Sequence, residues 1–102
     1  MNQIDYIADC LEALGNPTRL AIYHLLVRAG EEGRPVGKIR ELLEIPGSTL
    51  SHHLKHLEAA NLVVRIKKGT THFFTANYST MDLVVAFLTE ECCIDAGLPS
   101  ND

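Results

Sequence analysis

Gly47-Ser-Thr-Leu-Ser-His-His-Leu-Lys-His-Leu-Glu-Ala-Ala60 is the stretch on which the fold turns. At about 100° per residue, Leu50, Leu54, Leu57 and the following Asn61 share one helical face, while Ser48, Ser51, His52, Lys55 and Ala59 fall opposite. Three leucines anchor such a helix in a core, and its far face carries small hydrogen-bonding groups with one cation. That far face suits the floor of a DNA major groove, where short polar side chains allow deep insertion and first-turn backbone N–H groups meet phosphate.

The flanks fit the same reading. Upstream, the spacing predicts a short helix over about 36–43, then Glu44-Ile45-Pro46 as a tight turn, so residues 36–60 form a helix-turn-helix. Downstream, Leu62-Val-Val-Arg-Ile66 and Thr71-His-Phe-Phe-Thr-Ala76 read as β-strands around the turn Lys67-Lys-Gly-Thr70. A basic hairpin directly after a recognition helix is a wing, assigned to 62–76. Further out, Ile4, Ile7, Ala8, Leu11 and Leu14 make an amphipathic helix over 3–14 ending at Gly15. Asn16-Pro17 then reads as an N-cap with proline at the first helical position, opening a largely apolar central helix through about Ala29. Gly30 to Pro35 reads as a polar loop. Ser79-Thr-Met-Asp82 has the form of a capping box opening a last helix over about 79–94, with Met81, Val84, Val85, Leu88 and Cys92 in its stripe. The tail from Ala96 to Asp102 reads as frayed.

The predicted fold is therefore mainly α with a β-hairpin wing, in the order α-α-α-α-β-β-α, as a single domain over 1–102. Two amphipathic helices at the chain ends leave apolar stripes that a second copy would cover, so a homodimer through 3–14 and 79–94 is expected. It would present two recognition helices to half-sites one turn of DNA apart.

The formal net charge of −4 argues against a nucleic-acid partner until it is divided by segment. Residues 48–76 hold Lys55, Arg65, Lys67 and Lys68 against Glu58 alone, a net +3, which leaves −7 on the remainder. Four of the five histidines lie in the same basic segment. A basic face on an acidic body fits phosphate contact without general stickiness. No apolar run reaches the roughly 18 residues a membrane span needs, and the start of the chain lacks a signal-peptide layout, so a cytoplasmic protein with no membrane partner is expected. Three cysteines, two of them adjacent, make no disulfide framework and are expected to stay reduced there. No glycine-rich phosphate loop and no nucleophile with a recognisable base point to an enzyme, and no constitutive cofactor is expected.

Leu14-Gly-Asn-Pro-Thr-Arg-Leu-Ala-Ile22, the segment from Ser48 to Val63 and the Lys68-Gly69 wing together resemble the ArsR/SmtB family of metal- and metalloid-responsive repressors, across nearly the whole chain. The resemblance implies a homodimer that represses an operon until an inducer binds. It also implies that Ser48, Thr49, Ser51, His52 and Lys55 approach operator double-stranded DNA, with the wing straddling the backbone. His53, Arg65, Lys67 and Lys68 complete the expected DNA-contact set, the wing lysines through phosphate.

The sensing residues depart from the family's commoner patterns. The helix before the recognition helix, Lys38-Ile-Arg-Glu-Leu-Leu-Glu44, holds no cysteine, and the last helix holds no histidine for zinc. What remains is Cys92-Cys93, which resembles atypical arsenic sensors with adjacent C-terminal cysteines, though the third cysteine those usually add is missing. Side-by-side thiolates form a soft-ligand pair for trivalent arsenic or antimony as inducer; as packing residues they would be small hydrophobes. Cys10 is open to the same two readings, as third ligand or packing residue. With only two thiolates, a monosubstituted arsenical fits better than inorganic arsenite. His52 and His56 have metal-pair spacing but no companion ligand on their helix, and His24 reads as a packed or partly exposed residue. A redox- or persulfide-responsive repressor on the same scaffold is the alternative, with Cys10 expected to take part because vicinal cysteines within a helix make a strained disulfide.

Overall fold

The computed structural model describes residues 2 to 97. Of the tail expected to fray, residues 98–102 lie outside the described part, while Ile94–Ala96 forms a short 3-10 turn.

Among the described residues, five α-helices and three strands follow one another as α1 (Gln3–Leu14), α2 (Pro17–Ala29), β1 (Arg34–Pro35), α3 (Val36–Leu43), α4 (Gly47–Ala59), β2 (Val63–Lys68), β3 (Thr71–Ala76) and α5 (Tyr78–Thr89). This is a winged helix-turn-helix. The helices α1, α2 and α5 start where asparagine side-chain acceptors stand ready for free N–H groups. Asn2 Oδ1 accepts from Asp5 N at 2.9 Å, and Asn16 Oδ1 accepts from Arg19 N at 3.0 Å ahead of Pro17. The α3–α4 turn is made by Glu44 in the left-handed region (φ 53°), whose neighbour Ile45 N donates back to Arg40 O. The core gathers Ile22 and Leu26 from α2, Ile39 from α3, Leu50, Leu54 and Leu57 from α4, then Leu62 and Phe74, with Ile7 and Cys10 from α1 and Val84 from α5. The face of α4 chosen by its leucines is thus the one that packs.

Three expectations need correction. The loop before α3 contains a two-residue strand, so the sheet has three strands in the order β1-β3-β2, with Arg34 opposite Phe74 and Pro35 opposite Phe73. Two residues have no periodicity to detect, and Pro35 is tolerated because β1 is an edge. The cap of α5 is Asn77, whose Oδ1 accepts from Thr80 N at 3.4 Å, so Ser79 sits in the first turn and does not cap it. Finally, α5 stops at Thr89 and does not continue through residue 94: Glu91 and Cys93 adopt left-handed angles (φ 57° and 66°) that an α-helix cannot continue through. Cys92 and Cys93 therefore belong to a turn after the helix, not to its stripe.

Among the described residues no helix is long and apolar enough to cross a membrane.

Candidate nucleic-acid interface and thiol pair

Ser48, Thr49, Ser51, His52 and Lys55 are all exposed along the outer side of α4, opposite its buried leucines. Pro46 precedes the helix and no side chain caps it, so its first-turn N–H groups point outward unclaimed by side chains. Arg40 of α3 lies beside Gly47 at this same end and adds a cation. Spacing alone did not nominate Arg40, because it belongs to the preceding helix; its place in the last turn of α3, one tight turn before α4, was the available signal.

His53 does not share this face. It is half-buried, with Nδ1 3.4 Å from Arg19 Nη1, and burial together with the neighbouring guanidinium pushes its pKa down. Arg19 is itself buried and donates from Nε to Ala13 O at 2.6 Å. His56 turns to α1, where its Nε2 lies 2.8 Å from Glu12 Oε1. Two of the three histidines of α4 thus serve packing between helices.

The hairpin stands next to α4. Val63 pairs with Ala76 and Lys68 with Thr71, leaving Gly69 at the tip with φ 64°. Lys67 and Lys68 are exposed there, and the Lys68 ammonium rests 4.6 Å from the centre of the Phe73 ring. Arg65 is less free than its sequence position suggests: Nη2 donates to Glu58 Oε1 at 2.7 Å and its guanidinium lies 5.4 Å from the Phe74 ring centre. Between α4 and the hairpin opens a cleft of about 240 Å³ that brings Ser51, Lys55, Arg65 and His72 together over Phe74. His72 Nδ1 is buried there without a hydrogen-bond partner. The sequence placed His72 in the basic segment without giving it a role, and only the register opposite Lys67 turns it toward the cleft.

Cys92 and Cys93 are exposed in the turn that follows α5, their Sγ atoms 3.5 Å apart. Cys10 is enclosed in the core, with Sγ 3.5 Å from Ala60 O, and burial followed by the nearby Asp9 raises its pKa. Among the described residues no three His, Cys, Asp or Glu side chains converge on a metal-sized point, so the protomer does not gather all three cysteines.

A helix-turn-helix domain model matches residues 14–66, more than half of the chain. An HTH-type transcriptional regulator of Methanocaldococcus jannaschii is 39% identical over 74 residues, covering 72% of this chain and 81% of the relative. The arsenical resistance operon repressor of Bacillus subtilis is 36% identical over 84 residues, covering 81% of this chain and 75% of the relative. In structure, an ArsR-like transcriptional regulator from Rhodococcus sp. RHA1 superposes with a TM-score of 0.78 at 23% identity, covering 92% of this chain and 83% of that one.

Proposed function

Since the chain belongs to the ArsR family of winged helix-turn-helix transcriptional repressors, non-enzymatic proteins that bind DNA, we propose that it acts as a homodimer which leaves its operator when Cys92 and Cys93 bind trivalent arsenic or antimony. The observation that carries the inducer is the 3.5 Å separation of two exposed thiols. A soft ion with two exchangeable ligands bridges such a pair. Each thiol replaces one hydroxide on a monosubstituted arsenic(III) species, forming two S–As bonds and releasing two waters. Because Cys10 is walled into the core, one protomer offers two sulfurs, which favours a species carrying a single organic group over arsenite. The ligand would act by favouring the conformation with weak DNA affinity, a coupling of about 1 to 3 kcal/mol in typical cases. Such a repressor works in the cytoplasm, where its thiols stay reduced.

The deciding measurement is operator affinity by fluorescence anisotropy, for wild type and for Cys92→Ser/Cys93→Ser, with and without phenylarsine oxide or arsenite in reducing buffer. Release of wild type but not of the double variant is expected. Release of both, or of neither, removes the pair as a metalloid switch.

One observation supports a redox version of the same site. The pair occupies a turn with left-handed angles at Glu91 and Cys93, so closing Cys92 onto Cys93 is not opposed by helix geometry, and Cys10 is not required. Two thiols would yield two electrons and two protons to hydrogen peroxide, giving a disulfide and two waters.

A further inference from the structure

Three consecutive residues carry the chain from the recognition helix α4 into the wing, and each is held from outside by a residue of, or capping, a terminal helix. Ala60 O accepts from Cys10 Sγ of α1 at 3.5 Å. Asn61 Nδ2 donates to Tyr6 Oη of α1 at 3.0 Å and reaches Thr80 Oγ1 of α5 at 3.4 Å. Leu62 O accepts from the backbone N–H of Asn77, the cap of α5, at 2.9 Å. The Tyr6 and Thr80 hydroxyls lie 3.0 Å apart, closing a ring of three side chains from α1, α5 and the turn after α4, and Thr80 is only 2% exposed. Asn61 also has a left-handed backbone (φ 63°), a conformation asparagine tolerates better than most residues.

The direction of β2 relative to α4 is fixed by the backbone angles of these residues. A small rotation at Asn61 swings the hairpin tip through a much larger arc, because the tip lies six to eight residues of extended chain away, roughly 20 Å. Groove and phosphate contacts must be met at once, so that angle decides whether the two DNA-facing elements fit one duplex. Tyr6, Thr80, the Asn77 cap and the buried thiol all belong to the terminal helices that carry the exposed apolar stripes and, beyond α5, the cysteine pair.

We propose that Tyr6, Asn61 and Thr80 form a joint that sets the angle between recognition helix and wing, so that displacement of α1 or α5 reaches both DNA-contacting elements at one point. The proposal rests on the assignment of α4 and the hairpin to DNA, and not on the identity of the inducer. Tyr6 and Thr80 are positioning residues here, since neither belongs to the DNA-facing surface.

The test compares wild type, Tyr6→Phe, Thr80→Val, their combination and Thr80→Ser. Each is titrated against a duplex that wild type selects from a random pool, and against an unrelated duplex of equal length. Tyr6→Phe and Thr80→Val should each weaken the selected duplex about fivefold, the worth of a lost net hydrogen bond. They should leave the unrelated duplex within about twofold, and the combination should cost little more than either change alone because both open one ring. Thr80→Ser keeps the hydroxyl and should bind like wild type. The joint is overturned if Tyr6→Phe and Thr80→Val, folded by circular dichroism, bind the selected duplex like wild type. It is equally overturned if both duplexes weaken alike. Lys55→Ala separates the two ideas: it should weaken both duplexes with a salt slope shallower by about one, and its failure to do so would count against the DNA face itself.

Discussion

His52 and His53 are neighbours in sequence and face different surroundings. His52 is exposed on the outer side of α4, whereas His53 is half-buried against Arg19; the helical spacing puts His52 opposite the leucines but does not say what His53 meets at the border. The leucine spacing fixes which side of the helix is buried, but a residue at the border between faces takes its role from whatever the neighbouring helix presents, here a guanidinium from α2. Arg65 repeats the lesson, since its pairing with Glu58 depends on how β2 passes α4. The border position of His53 has a measurable consequence. Its folded pKa is lowered, first by burial and then by Arg19, so between that value and the ordinary one near 6.5 the unfolded chain binds more protons than the folded one. Stability should then fall as pH drops below about 6.5 and stop falling on this account once the folded pKa is passed. In thermal melts, His53→Gln should lose less Tm than wild type between about pH 7.5 and about pH 5.5. An identical loss in both proteins would show that His53 does not carry the effect.

At the scale of elements, helices with caps and long apolar stripes were legible, and short or interrupted pieces were not. Asn16-Pro17 announced α2 through its cap, and the leucine spacing announced α4 because it matches the face that tertiary packing buries. The end of α5 was misplaced because apolar spacing continues through Cys92 while the backbone leaves the helix at residue 90. β1 has no pattern of its own; its trace in the sequence is Gly33, with φ 70° and ψ −164°. A Cβ on Gly33 would run into Phe74 O, so only glycine lets β1 reach β3. Gly30 has nearly the same backbone (φ 77°, ψ −167°) but nothing near its missing Cβ. Gly33→Ala should therefore cost more than Gly30→Ala, which carries backbone strain of about 1 to 3 kcal/mol alone. Calorimetry should show a Tm loss of at least about 4 °C for Gly30→Ala and a larger one for Gly33→Ala. Equal losses would mean that Phe74 yields without cost.

The whole molecule is divided between the basic segment 48–76 and an acidic body with an apolar seam. Ile4 and Leu11 of α1, and Leu83, Val85 and Leu88 of α5, are at least 40% exposed on two helices that pack together. A monomer seldom leaves so many large apolar groups uncovered on adjoining helices. The apolar stripes themselves were readable in the sequence, but which stripe residues pack within the protomer, as Ile7 and Val84 do, required the fold. Leu88→Glu should sediment as a monomer with unchanged helical signal and lose at least about tenfold in operator affinity, because the two half-sites would no longer be bound together. A Leu88→Glu protein that still sediments as a dimer would move the interface elsewhere. At this scale the Glu58–Arg65 bridge gains a further meaning. It places a negative charge inside the basic segment, which simple charge matching to a polyanion disfavours, yet it ties helix to hairpin before any DNA arrives. The conformational entropy of holding the wing in place is thus lost during folding and not at the encounter. The two elements then meet a duplex as one preorganised body, and the speed of capture is left to diffusion and long-range attraction instead of waiting for a loop to close.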